Sequence, residues 1–322
     1  MQEQAGSPAS LRVAAVLFGP EGQGSFNESG LRGAQKAMAQ GYAVDVYWIA
    51  PLEAAARAQA MEPLCTQGYD LIVAHGGQGD GPVALLSACY SAQAFVVTQG
   101  SFEAPNVARY EVLQEQSAFL AGVLAALTSK THAVGHFSGE KVPPGLRGRA
   151  AFAHGLRAAG FEGLFATQFC GHQHQPDWAH ACVSATAQAT QIDVLFAMID
   201  GGRPGVSQAC REHAIWQIGN VLNWVERDPE VFIASAICDS GAAIAEAIND
   251  YVKGQLALGG YRSFGLEYPE LVRLELAPWV DESVRQQIAR WQQRIVAGEV
   301  SIQTDYSGAE YPLPEKRAVL VA

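Results

Sequence analysis

The chain has 322 residues, 49% of them hydrophobic, with 21 Lys plus Arg against 32 Asp plus Glu, a net charge of −11. That length and apolar content are ample for a packed protein of two lobes rather than one core. The acidic balance argues against a nucleic-acid partner, which needs clustered Lys and Arg, and no run of about 18 uncharged apolar residues is there to cross a bilayer.

Taken in chain order, the opening MQEQAGSPAS is polar and small, without the apolar centre of a signal peptide. It reads either as a natural start or as a mature chain trimmed of a leader. Continuous apolar runs then follow at 12–18, 43–49, 70–76, 94–100, 133–139, 164–170, 193–199, 214–220 and 231–237. Helical patterns lie between and after them at 27–40, 51–67, 81–92, 115–128, 146–159, 176–190, 203–213, 240–254 and 281–297. Unbroken apolar strands alternating with helices indicate an α/β protein with parallel sheets covered on both faces. There are too many units for one sheet, and a second strand–helix series begins after 117–130, so two doubly wound lobes are expected. The polar, proline-containing stretch 304–317 reads as a surface tail.

Six cysteines (Cys65, Cys89, Cys170, Cys182, Cys210, Cys238) are far apart with no CxxC, which fits no structural zinc or redox motif. Buried free thiols are the preferred reading, with a Cys65–Cys89 disulfide as the alternative.

Ligands of open α/β sheets bind beyond the carboxyl ends of the strands. Four such ends are glycine-rich or polar: GPEGQGSFNE (19–28), HGGQGDG (75–81), TQGS (98–101) and IDGGRPG (199–205). The first lacks the lysine of GxxxxGK[ST] and misses the GxGxxG spacing, so it is no phosphate cradle. It carries instead Phe26, a large ring in a polar loop that needs something flat to cover it. Asn27 follows, either as a ligand contact or as a helix cap.

The order GPEGQGSFNESGLRGAQKA, QEQSAFLAGVLAALTSKTHAVGHFSGEKVP, DVLFAMIDGGRPGV, WQIG and IASAICDSGAAIAEAI resembles the basic-membrane-protein family over about 11–302. These are type-1 periplasmic binding proteins that serve as receptors for ABC importers of purine nucleosides and related bases. The resemblance implies two lobes joined by a three-segment hinge, 11–130 plus 238–263 and 131–237 plus 264–303, with 304–322 as a tail. Crossings are expected near 129–133, 234–239 and 261–266. It further implies a monomer that encloses a small ligand between the lobes, presents it to a membrane permease, and works in the periplasm or anchored outside the membrane. No cofactor and no catalytic residue are expected.

By that resemblance, Phe26 and Asn27 match the aromatic–Asn pair against which a purine stacks. Base stacking on a ring contributes about 1–3 kcal/mol and tolerates many bases, so selectivity falls to polar groups at the ring edge. Candidates are Gln78, Gln99, Glu115 and Gln116, with Gln114 beside them; Glu115 and Gln116 are equally surface residues of a first helical turn. Elsewhere the chain departs from the family. The second-lobe loop reads CGHQHQPDWAH (170–180), without the usual Phe, so Gln173, His174 or Trp178 is expected to fill that wall. Asn220 and Asn223 stand where the family has acids, and Cys238 and Asp239 where it has a lysine. Those acids and that lysine hold ribose in the family, so a bare purine or another flat heterocycle is favoured, with Asp200 and Asp239 accepting ring N–H groups; Asp200 is alternatively a helix cap.

The histidines at 172, 174 and 180 are the best metal candidate, but no carboxylate or thiol completes a set. Ser138 near His136 lacks the GxSxG spacing of a nucleophile. An enzyme on the same frame, such as a nucleoside hydrolase, and a metabolite sensor for a signalling partner are the rival readings.

Overall fold

The computed structural model describes residues 11–19, 21–22 and 25–315; the opening segment, Pro20, Gln23 and Gly24 of the first loop, and the end of the tail from Lys316 lie outside the described residues. The chain divides into two compact units. The first holds the residues up to Val112 and Asp239–Phe264, and the second holds Leu113–Cys238 and the residues from Gly265 onward.

In the first unit, β1 (Arg12–Phe18), β2 (Ala43–Ile49), β3 (Leu71–His75), β4 (Ala94–Thr98), β5 (Val107–Val112) and β11 (Tyr261–Phe264) form one sheet in the order β11-β5-β4-β3-β1-β2. All its strand pairings are parallel, with Val13 opposite both Val44 and Leu71. Parallel strands covered on both faces must be apolar throughout, and β1, β3 and β4 are buried along nearly their whole length. The covering helices are α1 (Ser25–Ala39), α2 (Ala54–Met61) with a 3₁₀ turn after it, α3 (Asp80–Cys89) and α9 (Ala242–Val252).

In the second unit, β6 (Ala133–Ser138), β7 (Leu164–Phe169), β8 (Val194–Met198), β9 (Trp216–Val221), β10 (Phe232–Cys238) and β12 (Val272–Leu276) are ordered β12-β10-β9-β8-β6-β7. Only the β10–β12 pairing in this sheet is antiparallel among the described residues. Its helices are α4 (Gln114–Thr128), α5 (Pro143–Ala158), α6 (Pro176–Thr190), α7 (Arg203–Glu212), the single turn α8 (Trp224–Arg227) and α10 (Glu282–Val296).

The nine apolar runs all fold as strands. Three strands were not expected: β5, β11 and β12 are short and mix charged with apolar residues (VARYEV, YRSF, VRLEL), so no continuous apolar run marks them. The unit boundary differs too. Helix α4, expected to close the first lobe, belongs to the second, and the first crossing falls at Val112–Leu113 instead of near 129–133. The reason is packing: α4 lies against α5, β10 and β12. The α4–α5 crossing is close enough that a Cβ on Gly122 would stand 2.1 Å from the Phe152 carbonyl oxygen.

The tail is more than a surface extension. Tyr306 meets Phe165 edge-on and Arg149 through its ring face, Glu310 pairs with Arg149 and Lys141 at 2.9 Å each, and Tyr311 N–H donates to the Thr167 carbonyl of β7 at 2.8 Å. The tail thereby covers the open edge of β7. None of the six cysteines is in a disulfide, the Cys65–Cys89 alternative included; four are buried, with Cys65 half-buried and Cys89 exposed.

Candidate functional site

The strand ends of the first unit are organised by a buried imidazole. His75, the last residue of β3, is fully buried. Its Nε2–H donates to the Phe26 carbonyl at 3.2 Å and its Nδ1 accepts from the Thr98 hydroxyl at 2.8 Å, while that hydroxyl oxygen takes the Gly76 N–H at 3.1 Å. The Phe26 carbonyl can only accept, so Nε2 carries a proton, and burial keeps the ring neutral, pushing the imidazole down to about 4 against the opposing effect of the Phe26 carbonyl. The Phe26 ring lies on the imidazole, centroids 4.4 Å apart and 19° from parallel. Phe26 itself is half-buried. A polarisable ring is thus fixed at the carboxyl end of the sheet with part of its surface outward.

Asn27 does not cap α1, which begins two residues earlier at Ser25. Its Nδ2 donates to the Phe18 carbonyl at 2.9 Å and ties the helix to the end of β1. Gln78 is exposed on a 3₁₀ turn (Gly77–Gly79) after β3, within the same unit. Gln99, in the left-handed region at φ 54°, turns its amide onto Val112: Nε2 donates to that carbonyl at 3.0 Å and Oε1 accepts its N–H. Its polar atoms join β4 to β5.

Asp239 begins the return of the chain into the first unit and is half-buried. The fully buried Ser29 hydroxyl donates to its Oδ1 at 2.8 Å and accepts the Gly241 N–H at 2.9 Å. Ser29 is one helical turn beyond Phe26, so the carboxylate is fastened to the helix that carries the ring. Only glycine fits at 241, where a Cβ would stand 1.7 Å from the Ser29 carbonyl oxygen. Sequence reasoning missed Ser29; a serine in a polar helix start gives no sign of a partner 210 residues away.

Glu115 and Gln116 open α4 in the second unit. Glu115 is buried and accepts from Arg147 at 2.6 Å. Gln116 Oε1 accepts the Leu266 N–H at 2.7 Å, where the chain re-enters this unit. Both hold local structure, and Gln114 is the first residue of the helix.

At the strand ends of the second sheet, Gln173 is half-buried and its carbonyl takes the Gly202 N–H at 2.8 Å, while His174 is exposed. Trp178, expected at the ligand wall, is buried instead, its indole N–H on the Cys170 carbonyl at 2.9 Å. Asp200 is half-buried and its carbonyl accepts the Arg203 N–H at 2.9 Å. Asn223 caps α8, its Oδ1 accepting the Glu226 N–H at 3.3 Å. Asn220, half-buried at the end of β9, takes a bond from the Arg203 guanidinium on its Oδ1. Arg203 was not anticipated; it is 2% exposed and also donates to the carbonyls of Ala197 and Ile199 at 3.3 and 2.5 Å. Burial lowers it to about 10, opposed by Asp200 and reinforced by Arg227. His180 pairs with Glu212 at 2.7 Å, and among the described residues no group of three or more His, Cys, Asp or Glu is placed to hold a metal ion.

The first unit carries a ring and a carboxylate at its strand ends, and the second carries amides around a buried cation; within each unit these groups form no nucleophile–base set. The chain is 23% identical over 301 residues to the CD4+ T-cell-stimulating antigen of Listeria monocytogenes, covering 86% of this chain and 84% of that one. Its fold is similar to an ABC transporter solute-binding protein of Aeropyrum pernix K1 (TM-score 0.78, 22% identity, 92% and 94% of the two chains). It is also similar to the 5-methylthioribose transporter solute-binding protein of Thermotoga lettingae TMO, solved with 5-methylthioribose (TM-score 0.66, 16% identity, 92% and 94%). Residues 11–305 match the Bmp family, described as ABC transporter substrate-binding protein PnrA-like, and the chain belongs to that family.

Proposed function

We propose that the solute is a planar nitrogen heterocycle, a purine base or its nucleoside with the bare base favoured, taken at the Phe26 face of the first unit. The family and its structural relatives are substrate-binding proteins, not enzymes; such proteins bind a small ligand outside the cytoplasm and interact with a membrane permease. Within that frame we propose a monomer in the periplasm or anchored to the outer side of the membrane.

The observation that carries the ligand class is the half-buried Phe26 ring, held flat on a neutral imidazole, with Asp239 fastened to Ser29 of the same helix. One oxygen of that carboxylate is taken by Ser29; the other makes no hydrogen bond among the described residues and suits a ring N–H. Gln78 in the first unit, and Gln173, His174, Asp200 and Asn220 in the second, are proposed as polar determinants of selectivity. Gln99, Glu115, Gln116, Trp178 and Asn223, all engaged in internal bonds, are proposed to shape rather than touch the ligand.

Calorimetric titration of purine bases and nucleosides tests the reading, supported by melting curves, since bound ligand raises the melting point by mass action. Phe26→Ala is expected to weaken binding by about 1–3 kcal/mol with the ligand-free melting point little changed. No response to any base or nucleoside, or an affinity indifferent to that substitution, would refute it.

A further inference from the structure

We infer that the second unit carries a further binding site, a cavity at the pole where its strands β6 and β7 begin, and that this cavity takes a small aliphatic ammonium ion. It is separate from the strand carboxyl ends described above and does not depend on which solute binds there.

The cavity holds about 310 Å³ and is lined by Ala126 of α4, by His132 just before β6, and by residues 159–163 between α5 and β7. All of these belong to the second unit. That volume is at the lower end for small-molecule sites and far exceeds what a bare metal ion fills. Its walls are set by backbone. His132 stands in the left-handed region at φ 54°, and its carbonyl accepts the Leu164 N–H at 2.8 Å. Helix α5 closes through Gly160 at φ 79°, with the Gly160 and Phe161 N–H groups returning to the Arg157 and Leu156 carbonyls at 3.0 Å each. Gly163 has no room for a side chain: a Cβ there would stand 2.0 Å from the His132 carbonyl oxygen and 2.6 Å from Phe161 Cζ. The half-buried Phe161 ring thus lies against Gly163.

The lining is one-sided in its chemistry. Both α4 and α5 end here, and each helix carries about half a negative charge at its carboxyl terminus. The carbonyls of Ala126, Ala159 and Gly160 accept no hydrogen bond among the described residues. The exposed Glu162 carboxylate has neither an ion-pair nor a hydrogen-bond partner among them. No lysine or arginine lines the cavity, and Arg157, one turn back, donates to Gln303 at 2.6 Å instead. Acceptors with an uncompensated negative field call for a donor that brings positive charge. An ammonium is that group, all donors and no acceptor, and the face of an aromatic ring attracts it too. Alanine and glycine walls suit a short alkyl chain. A chelated metal does not fit, since no group of three or more His, Cys, Asp or Glu is placed to hold one among the described residues.

The test is titration of n-butylammonium chloride into the isotope-labelled full chain, followed by amide shifts, with sodium chloride as the ionic-strength control and n-butanol as the uncharged counterpart. Saturable shifts are expected at the residues around 126, 132 and 159–164 with n-butylammonium. Replacing it by n-butanol, or Glu162 by Gln, is expected to weaken binding at least about fivefold, as for one lost charge-assisted hydrogen bond. Glu162→Gln removes no contact of the fold, so its melting point should match the wild type. Phe161→Leu, which keeps apolar bulk and loses the ring, should weaken n-butylammonium more than n-butanol. No saturable shift, shifts centred on the strand carboxyl ends, equal binding of n-butanol, or an affinity indifferent to Glu162→Gln would overturn the inference.

Discussion

At the scale of single residues, two buried histidines make the fold sensitive to acid. His75 is held neutral between Thr98 and the Phe26 carbonyl, and burial takes it down to about 4. His136 in β6 accepts from or donates to the Thr167 hydroxyl at 2.9 Å, and burial, aided by Arg149, takes it to about 3. Unfolded, each imidazole takes up its proton near pH 6.5. Between that value and the folded one the unfolded chain binds more protons, so their contribution is complete above pH 6.5 and is lost as pH falls toward 4 and then 3. The His75 shift corresponds to roughly 3 kcal/mol. Urea midpoints measured from pH 7 to pH 4.5 should therefore fall steadily, and His75→Gln should flatten the slope; an equally steep slope in that variant would exclude His75 as a source. At this scale the sequence made Phe26 conspicuous, because a ring among Gly, Ser and Gln stands out. It could not show that the amide of Gln99 is consumed by Val112, or that Glu115 is neutralised by Arg147 from another helix. Nor did it mark Arg203, which reads as an ordinary first-turn residue until the strand-end carbonyls close around it.

At the scale of elements, the second unit is built on a close crossing of α4 and α5. A Cβ on Gly155 would stand 2.0 Å from the Phe119 carbonyl oxygen, and one on Gly122 2.1 Å from that of Phe152. Backbone cannot yield as a flexible side chain can, so the helices must separate to admit even a methyl group. Gly155→Ala should thus destabilise by about 1–3 kcal/mol, the usual range of overpacking, although alanine is the better helix former by about 1 kcal/mol. A thermal melt at or above the wild-type midpoint would show that the crossing is looser than described. The same packing explains what was legible among the elements. β1 and β8 lie inside their sheets under helices on both faces, so burial forced unbroken apolar runs into RVAAVLF and VLFAM. β11 and β12 lie at sheet edges, and β5 beside one, where Arg109, Glu111 and Arg273 can reach solvent or a partner; with the apolar run broken, the strand signal is lost.

At the scale of the whole molecule, neither unit is a continuous piece of chain. The first unit needs Asp239–Phe264, because that segment supplies the edge strand β11, the helix α9 that packs on α1, and Asp239 for Ser29. It also supplies Asp250, buried and accepting from the Tyr110 hydroxyl at 2.6 Å while paired with Arg262. Without it, β5 would be left with an open edge and Tyr110 would lose the partner of its buried hydroxyl, which costs about 1–3 kcal/mol for each such group. The apolar face of α1 that meets α9 would also be bared to water. These losses add to a unit whose total stability is expected to be only about 5–15 kcal/mol. A fragment of residues 11–112 should accordingly give no cooperative melt, and adding a peptide of residues 239–264 should restore one, seen by circular dichroism and by reappearance of dispersed amide signals. Cooperative unfolding of the 11–112 fragment alone would mean that the first sheet is complete without β11, and that the segment from Asp239 onward is not needed for the stability of the unit.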